Sequence, residues 1–203
     1  MLTKKIPYSK GHIKKYALNY LNKFGTSKNY LIKFLVNKIK NRFIVNNNTT
    51  LQNEVEEIIE KLSKIGLLND VAFCESRIKS LLKEGNSIFN ITMKLKQKNI
   101  NEESINSAFA SIIENVTLNS EQSGIHELEE YALLKYAKKR NLLLWQQPTS
   151  DEDTNKQKAI TSLMRKGFNF SIIENLTTKN NSLNNCRDSF ENYIATTENK
   201  YNL

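Results

Sequence analysis

Glycine and proline are scarce in this chain, six and two among 203 residues, which disfavours a turn-rich all-β fold and suits helices. The two cysteines, Cys74 and Cys186, make neither a CxxC pair nor a disulfide framework. Cys74 lies on an apolar helical stripe and reads as a small core residue. No apolar run approaches the ~20 residues that cross a bilayer. The opening MLTKKIPYSKGHIKK has no continuous apolar core, so a secretory signal is not expected and a cytoplasmic protein is. His12 and His126, the only histidines, lack the spaced partners that zinc or a proton relay needs. There is no GxxxxGK[ST] loop, no GxGxxG and no nucleophile elbow. The expectation is therefore no enzyme, no catalytic residue, no cofactor and no metal. One absence is positional. Residues 1–53 hold eleven Lys and Arg and no Asp or Glu, while the rest of the chain holds 19 basic and 21 acidic groups. Surface lysine is often only solubilising, but it does not explain so long a gap in acids. A basic lobe that meets polyanion or an acidic protein surface does.

What is present is helical periodicity, clearest from Gly66 to Ile112. Asn69 or Asp70 can cap a first helix, whose stripe is Val71, Cys74, Ile78 and Leu81. Gly85 is its natural stop. Ser87 caps a second helix with Ile88, Ile91 and Leu95 inward, and Asn99 can take the left-handed position after it, with Ile100 folding back. Asn101 caps a third, with Glu102 and Glu103 at its positive end and Ile105, Ala108, Phe109 and Ile112 on one face. Each helix is short enough to need the other two.

The pattern recurs. Tyr16-Ala17-Leu18, Val71-Ala72-Phe73 and Tyr131-Ala132-Leu133 open comparable helices, 55 and 60 residues apart by their alanines. Leu31 and Leu35, Ile91 and Leu95, Ala159 and Leu163 align in the second helices, and Lys98-Asn99-Ile100 matches Lys166-Gly167-Phe168. The expected fold is all-α: an elongated tandem array of three three-helix, helix-turn-helix-like repeats. A flexible basic arm at 1–11 precedes repeat one at 12–68, repeat two at 69–113 and repeat three at 127–177. A polar tail, 178–203, follows, with one weak helical patch at Phe190, Tyr193 and Ile194.

Gly66-Leu67-Leu68-Asn69-Asp70, Ala72-Phe73-Cys74-Glu75, Gly85, Ile91, Leu95 and Lys98-Asn99-Ile100 resemble the core signature of the RecX family, bacterial regulators of the RecA recombinase. The match is clearest over roughly residues 66–113 and extends more weakly over about 12–177. It departs where Asn99 replaces a usual glycine, which asparagine tolerates because it too visits positive φ. It departs again in the long Asn-rich loop from Lys40 to Thr50. The resemblance implies a monomeric regulator that binds along the RecA–DNA filament, slows ATP hydrolysis and blocks strand exchange, thereby modulating recombination and DNA repair. DNA, single- or double-stranded, would be met weakly and without sequence preference. The alternative is a generic helical nucleic-acid-binding protein without a recombinase partner.

In chain order, a first helix spans 12–24, with Ile13, Tyr16, Ala17, Tyr20, Leu21 and Phe24 inward and Gly25 at its end. A second spans 28–39 from Ser27, and a third 51–65 carries Glu54, Glu56, Glu57 and Glu60 early and Lys61 and Lys64 late, as the helix dipole favours. The helix at 127–144 turns Tyr131, Leu134, Ala137 and Leu142 inward and Lys135, Lys138, Lys139 and Arg140 outward. Trp145 plugs the core or stacks on a base. Helices at 154–166 and 169–176 complete the repeat. The residues expected to touch filament or DNA are Lys14, Lys15, Lys23, Lys33, Lys40, Arg42, Arg77, Lys79, Lys94 and Lys98.

Overall fold

The computed structural model of the chain describes residues 6–114, 121–142, 152–175 and 187–203. These form helices α1 (Lys10–Leu21), α2 (Lys28–Arg42), α3 (Asn48–Lys64), α4 (Asp70–Lys83), α5 (Ile88–Gln97), α6 (Glu102–Glu114), α7 (Glu121–Arg140), α8 (Glu152–Arg165), α9 (170–175) and α10 (Arg187–Tyr201). The fold is all-α. Among the described residues the only extended pairing is one bridge between Pro7 and Ile44.

Most stops and starts are where local chemistry puts them. The hydroxyl of Ser27 accepts from the Tyr30 N–H, that of Ser87 from Asn90, and the side chain of Asn101 from Ser104. Of the two candidates for capping α4, Asn69 does it, accepting from the Ala72 N–H at 3.1 Å. Asn99 stands at φ 58° and Gly85 at φ 76°, both in the left-handed region that ends a helix.

Several boundaries differ from the sequence expectation. Helix α1 ends at Leu21, short of Gly25, and Phe24 is therefore turned out with 56% of its surface exposed. Helix α3 opens at Asn48 because the Asn47 side chain accepts from the N–H groups of Thr49 and Thr50. Residues 6–9 are not a free arm: the Ile44 N–H donates to the Ile6 carbonyl, and Tyr8 packs against the core. Helix α7 starts at Glu121, inside the expected linker, where Gly124 lies so close to Ile113 that a Cβ would approach it to 2.5 Å. It stops at Arg140 because Asn141 turns to φ 50°, which leaves Leu142 only half-buried. The largest correction is α10. Residues 187–201, expected as a polar tail, form a 15-residue helix packed on α7. Trp145 and Pro148 lie outside the described residues.

The chain divides into two compact units, residues 1–74 with 96–104, and residues 75–95 with 105–203. In the first, α1, α2 and α3 enclose Ile13, Ala17, Leu31, Leu35, Ile39, Leu51, Val55 and Ile59. In the second, Ile78, Leu81, Ile91, Leu95, Ile105, Phe109, Tyr131, Leu134, Leu163 and Ile173 are buried, the faces that helical period selects.

Candidate interfaces

Two junctions in the chain repeat the same chemistry. In the first unit, the start of α2 faces the end of α5. Buried Ser27 donates its hydroxyl to the Lys98 carbonyl at 3.2 Å, and the Asn29 amide donates to the Asn99 carbonyl at 3.0 Å. The Lys28 N–H, one of the orphan donors of a helix start, donates to the Asp70 carboxylate at 2.8 Å. In the second unit, Ser87 donates to the Lys166 carbonyl at 2.8 Å, the Asn90 amide donates to the same oxygen, and the Ile88 N–H donates to Glu129 at 2.6 Å. Each junction places a carbonyl end against an N–H end, so the two helix dipoles attract. Glu129 is buried. Burial pushes its carboxyl up to about 7, although the Ile88 N–H pulls the other way. Gly85 supports this junction, since a Cβ there would come within 2.8 Å of the Tyr136 backbone.

The ten expected contact residues do not form one site. Lys14, Lys15 and Lys23 are exposed on α1 and just beyond it, and Lys40 is exposed near the end of α2. Lys33 instead donates to the Asn99 side chain at 2.6 Å, against the carbonyl end of α5 beside Lys98. Arg42 lies 5.9 Å from the Tyr16 ring centroid and donates to its hydroxyl, tying α1 to α2. Lys79 donates to the Asn202 carbonyl. Arg77 and Lys94 are brought together, with Lys166 joining them. Partial desolvation lowers the Lys94 ammonium, and the Lys166 and Arg77 charges add to that against the opposing pull of Glu84.

The acid-free lobe is also less open than its sequence suggests. Lys10 pairs with Glu57 at 2.9 Å, and Lys61 pairs with the same carboxylate at 2.6 Å. The hydrogen bonds from Lys61 and Lys10 hold Glu57 down at about 2. What the lobe does expose is aromatic. Tyr20 packs on Phe34 at 4.5 Å, Phe24 at 5.2 Å and Tyr30 at 6.3 Å between ring centroids, and Lys38 lies 6.0 Å from the Phe34 centroid. Phe24 and Tyr30 are 56% and 41% exposed. Periodicity assigned Tyr20 and Phe24 to the core. Tyr20 does pack against that core, and only Phe24, three residues past the early end of α1 at Leu21, is turned outward.

A second basic surface was missed altogether. Tyr136 of α7 and Gln157, Lys158, Thr161, Ser162, Arg165 and Lys166 at α8 line an open groove. The spacing of Lys158, Arg165 and Lys166, at i, i+7 and i+8 on one helix face, was the available clue. Among the described residues, no group of three His, Cys, Asp or Glu could hold a metal ion. No helix there is long and apolar enough to cross a membrane.

No family model matches the chain. It is 26% identical over 166 residues to the regulatory protein RecX of Myxococcus xanthus (strain DK1622), covering 81% of this chain and 83% of that protein. The crystal structure of RecX from Lactobacillus salivarius aligns with a TM-score of 0.58 at 20% identity, over 86% of this chain and 97% of that one. The chain has the RecX fold. A further crystal structure, of regulatory protein RecX, aligns with a TM-score of 0.56 at 23% identity, over 83% of this chain and 73% of that one. The residues that carry the RecX resemblance in sequence now have physical roles. Leu68 is buried, Asn69 caps α4, Asp70 caps α2 and the Phe73 ring fills the space beside Gly25.

Proposed function

We infer that this protein is a regulator of the RecA recombinase, which binds the RecA–DNA filament and represses ATP hydrolysis and strand exchange. It acts by occupying the filament rather than by chemistry of its own, as a monomer, without a cofactor and in the cytoplasm. The likeness to regulatory protein RecX over four-fifths of the chain carries this reading, and the RecX fold supports it. The three-module organisation belongs to the same reading. The matched junctions at Ser27 and Ser87 favour it, since stacked copies of one unit repeat their interfaces as well as their cores.

The surface that best fits a protein partner is the exposed cluster of Phe24 and Tyr30 with Lys14, Lys15 and Lys23 nearby in the chain. Aromatic groups supply contact area at interface centres, and a rim of one charge raises the rate of encounter with an acidic partner. The test is RecA ATP hydrolysis on single-stranded DNA with this protein titrated in. Hydrolysis should fall with a dependence on the filament. Unchanged hydrolysis at an excess of this protein, with DNA binding retained, would favour the generic nucleic-acid-binding alternative.

A further inference from the structure

We propose that the groove lined by Tyr136, Lys158, Thr161, Ser162, Arg165 and Lys166 binds the sugar-phosphate backbone of single-stranded nucleic acid. The proposal deepens the regulator reading and rests on it for its biological setting, because a filament on single-stranded DNA presents that backbone. It also places nucleic-acid contact away from the acid-free lobe where the charge pattern of the sequence puts it.

The lining carries the chemistry. Gln157 completes a set made entirely of Lys, Arg, Ser, Thr, Gln and Tyr, the side chains that contact phosphate and sugar oxygens. No Leu, Ile, Val, Met or Phe side chain is among them to seat a buried protein anchor. The space, about 670 Å³, is also far larger than a lone anion needs, given that one water takes about 30 Å³. A chain of phosphates uses such a space, and an isolated ion does not.

The cations are held ready. Lys166 Nζ lies 5.5 Å and the Arg140 guanidinium 5.9 Å from the centroid of the Tyr136 ring. That ring is itself steadied, with Phe168 at 6.0 Å and its hydroxyl 3.4 Å from Ser162 Oγ. Two cations over one aromatic leave it poorly placed to stack a base, so the contact falls on the backbone instead. Neither Lys158 nor Arg165 has a carboxylate partner among the described residues. By contrast, Lys135 and Lys138 of α7 are neutralised by Glu198 and Glu191, each at 3.0 Å. The same helix thus spends some cations on packing α10 and keeps Arg140 on the ring of Tyr136, which lines the groove. Lys94 and Arg77 add positive charge near Lys166, which Glu84 partly offsets.

The experiment uses the full chain, a fluorescein-labelled oligo(dT) strand, fluorescence anisotropy and no recombinase. Three variants are compared with the unmodified protein: Lys158→Gln/Arg165→Gln/Lys166→Gln, Lys158→Gln/Arg165→Gln, which leaves the lysine on Tyr136, and Lys15→Gln/Lys23→Gln as the control. Each single-strand phosphate contact adds about 0.7 to the slope of log affinity against log salt, or about fivefold in affinity near 0.1 M. The triple variant should bind on the order of 100-fold more weakly, with a slope flatter by about 2, and the double variant should lie between. Circular dichroism should show the same helicity in all of them. The proposal is overturned if the control loses binding while the groove variants keep it, or if the unmodified protein does not bind the strand. It is equally overturned if the groove variants bind DNA normally and lose only their effect on RecA, which would make the groove a protein site. Failure of the ATPase test with these binding results intact would remove the regulator reading and leave the groove standing.

Discussion

At the scale of single residues, the side chain with most leverage is Glu129. Its carboxylate caps the start of α5 from a different helix, in a place with little water. Burial holds its proton up to about 7, above the 4.5 of an exposed glutamate, so the folded chain keeps a proton there that the unfolded chain gives up. Stability from this group is therefore complete below pH 4.5 and is lost as pH rises through 7. The size is on the order of 3 kcal/mol. Glu129→Gln keeps an acceptor for the Ile88 N–H and removes the titration. Urea midpoints of the two proteins should diverge between pH 5 and 7.5, with the variant gaining relative to the unmodified protein at the higher pH. A constant difference across that range would mean that Glu129 does not titrate there. Three other carboxyls run the opposite way. Glu57 is held low by Lys61 and Lys10. For Glu127 and Glu198, burial is outweighed by Lys200 with Tyr201 and by Lys135 with Tyr131. Their contributions fade as the pH falls below the ordinary glutamate range, so the two effects separate on the pH axis.

At the scale of elements, α10 changes most between sequence and structure. Its own pattern is weak, because the residues seen buried on it are few, Ile194, Thr197 and Tyr201, and one of the three is polar. Its stability comes from α7. Tyr131 donates to Glu198 at 2.8 Å, Tyr193 to Glu130 at 2.9 Å and Tyr201 to Glu127 at 2.5 Å, while Lys135 and Lys200 pair across the same seam. A phenol donated to a carboxylate is a charge-assisted bond, and two of these sit on nearly buried rings. Tyr201→Ala should cost about 3–5 kcal/mol, comparable to Phe109→Ala in α6 and greater than a frayed tail permits. Leu95→Ala should cost about 2–5 kcal/mol. Denaturant unfolding decides both. A loss under about 0.5 kcal/mol for Tyr201→Ala, the range of an ordinary surface substitution, would mean that α10 does not hold in solution.

At the scale of the whole molecule, charge and aromatic exposure have to be read together. Residues 1–53 carry no acid, yet their cations divide among different tasks in the fold: Lys10 on Glu57, Lys33 on Asn99 and Arg42 on Tyr16. Lys14, Lys15 and Lys23, which are exposed, share α1 and its end with Phe24. Replacing Lys15 and Lys23 by Gln and Phe24 by Ala should leave helicity unchanged, since all three are exposed. It should raise the concentration needed to repress RecA ATP hydrolysis by at least about tenfold, the loss of about 1.4 kcal/mol at an interface. Lys135→Gln with Lys138→Gln should act differently, through stability, because those lysines answer Glu198 and Glu191 on α10. Full repression by the first variant would move the recombinase contact elsewhere on the chain.

The sequence by itself determined most of the helices and the apolar faces that most of them bury. Caps such as Ser27, Ser87 and Asn101, and stops such as Gly85 and Asn99, act on backbone groups within about four residues, so their chemistry is complete in a short window. Matched stripes and matched turns are legible there too, because they need no partner to be seen. What only the tertiary structure decided is who answers whom. Asp70 reaches Lys28 and Glu129 reaches Ile88 across 42 and 41 positions in the chain, and Tyr201 reaches Glu127 across 74. No local pattern marks such pairs, and the carboxylates involved read as ordinary surface acids until the helices are packed. For the same reason, a tail with a weak stripe became a helix and a phenylalanine placed in a core, Phe24, became part of a surface. A lysine has the same letter whether it holds a carbonyl, pairs with an acid or waits for a phosphate, and its neighbours in space make the difference.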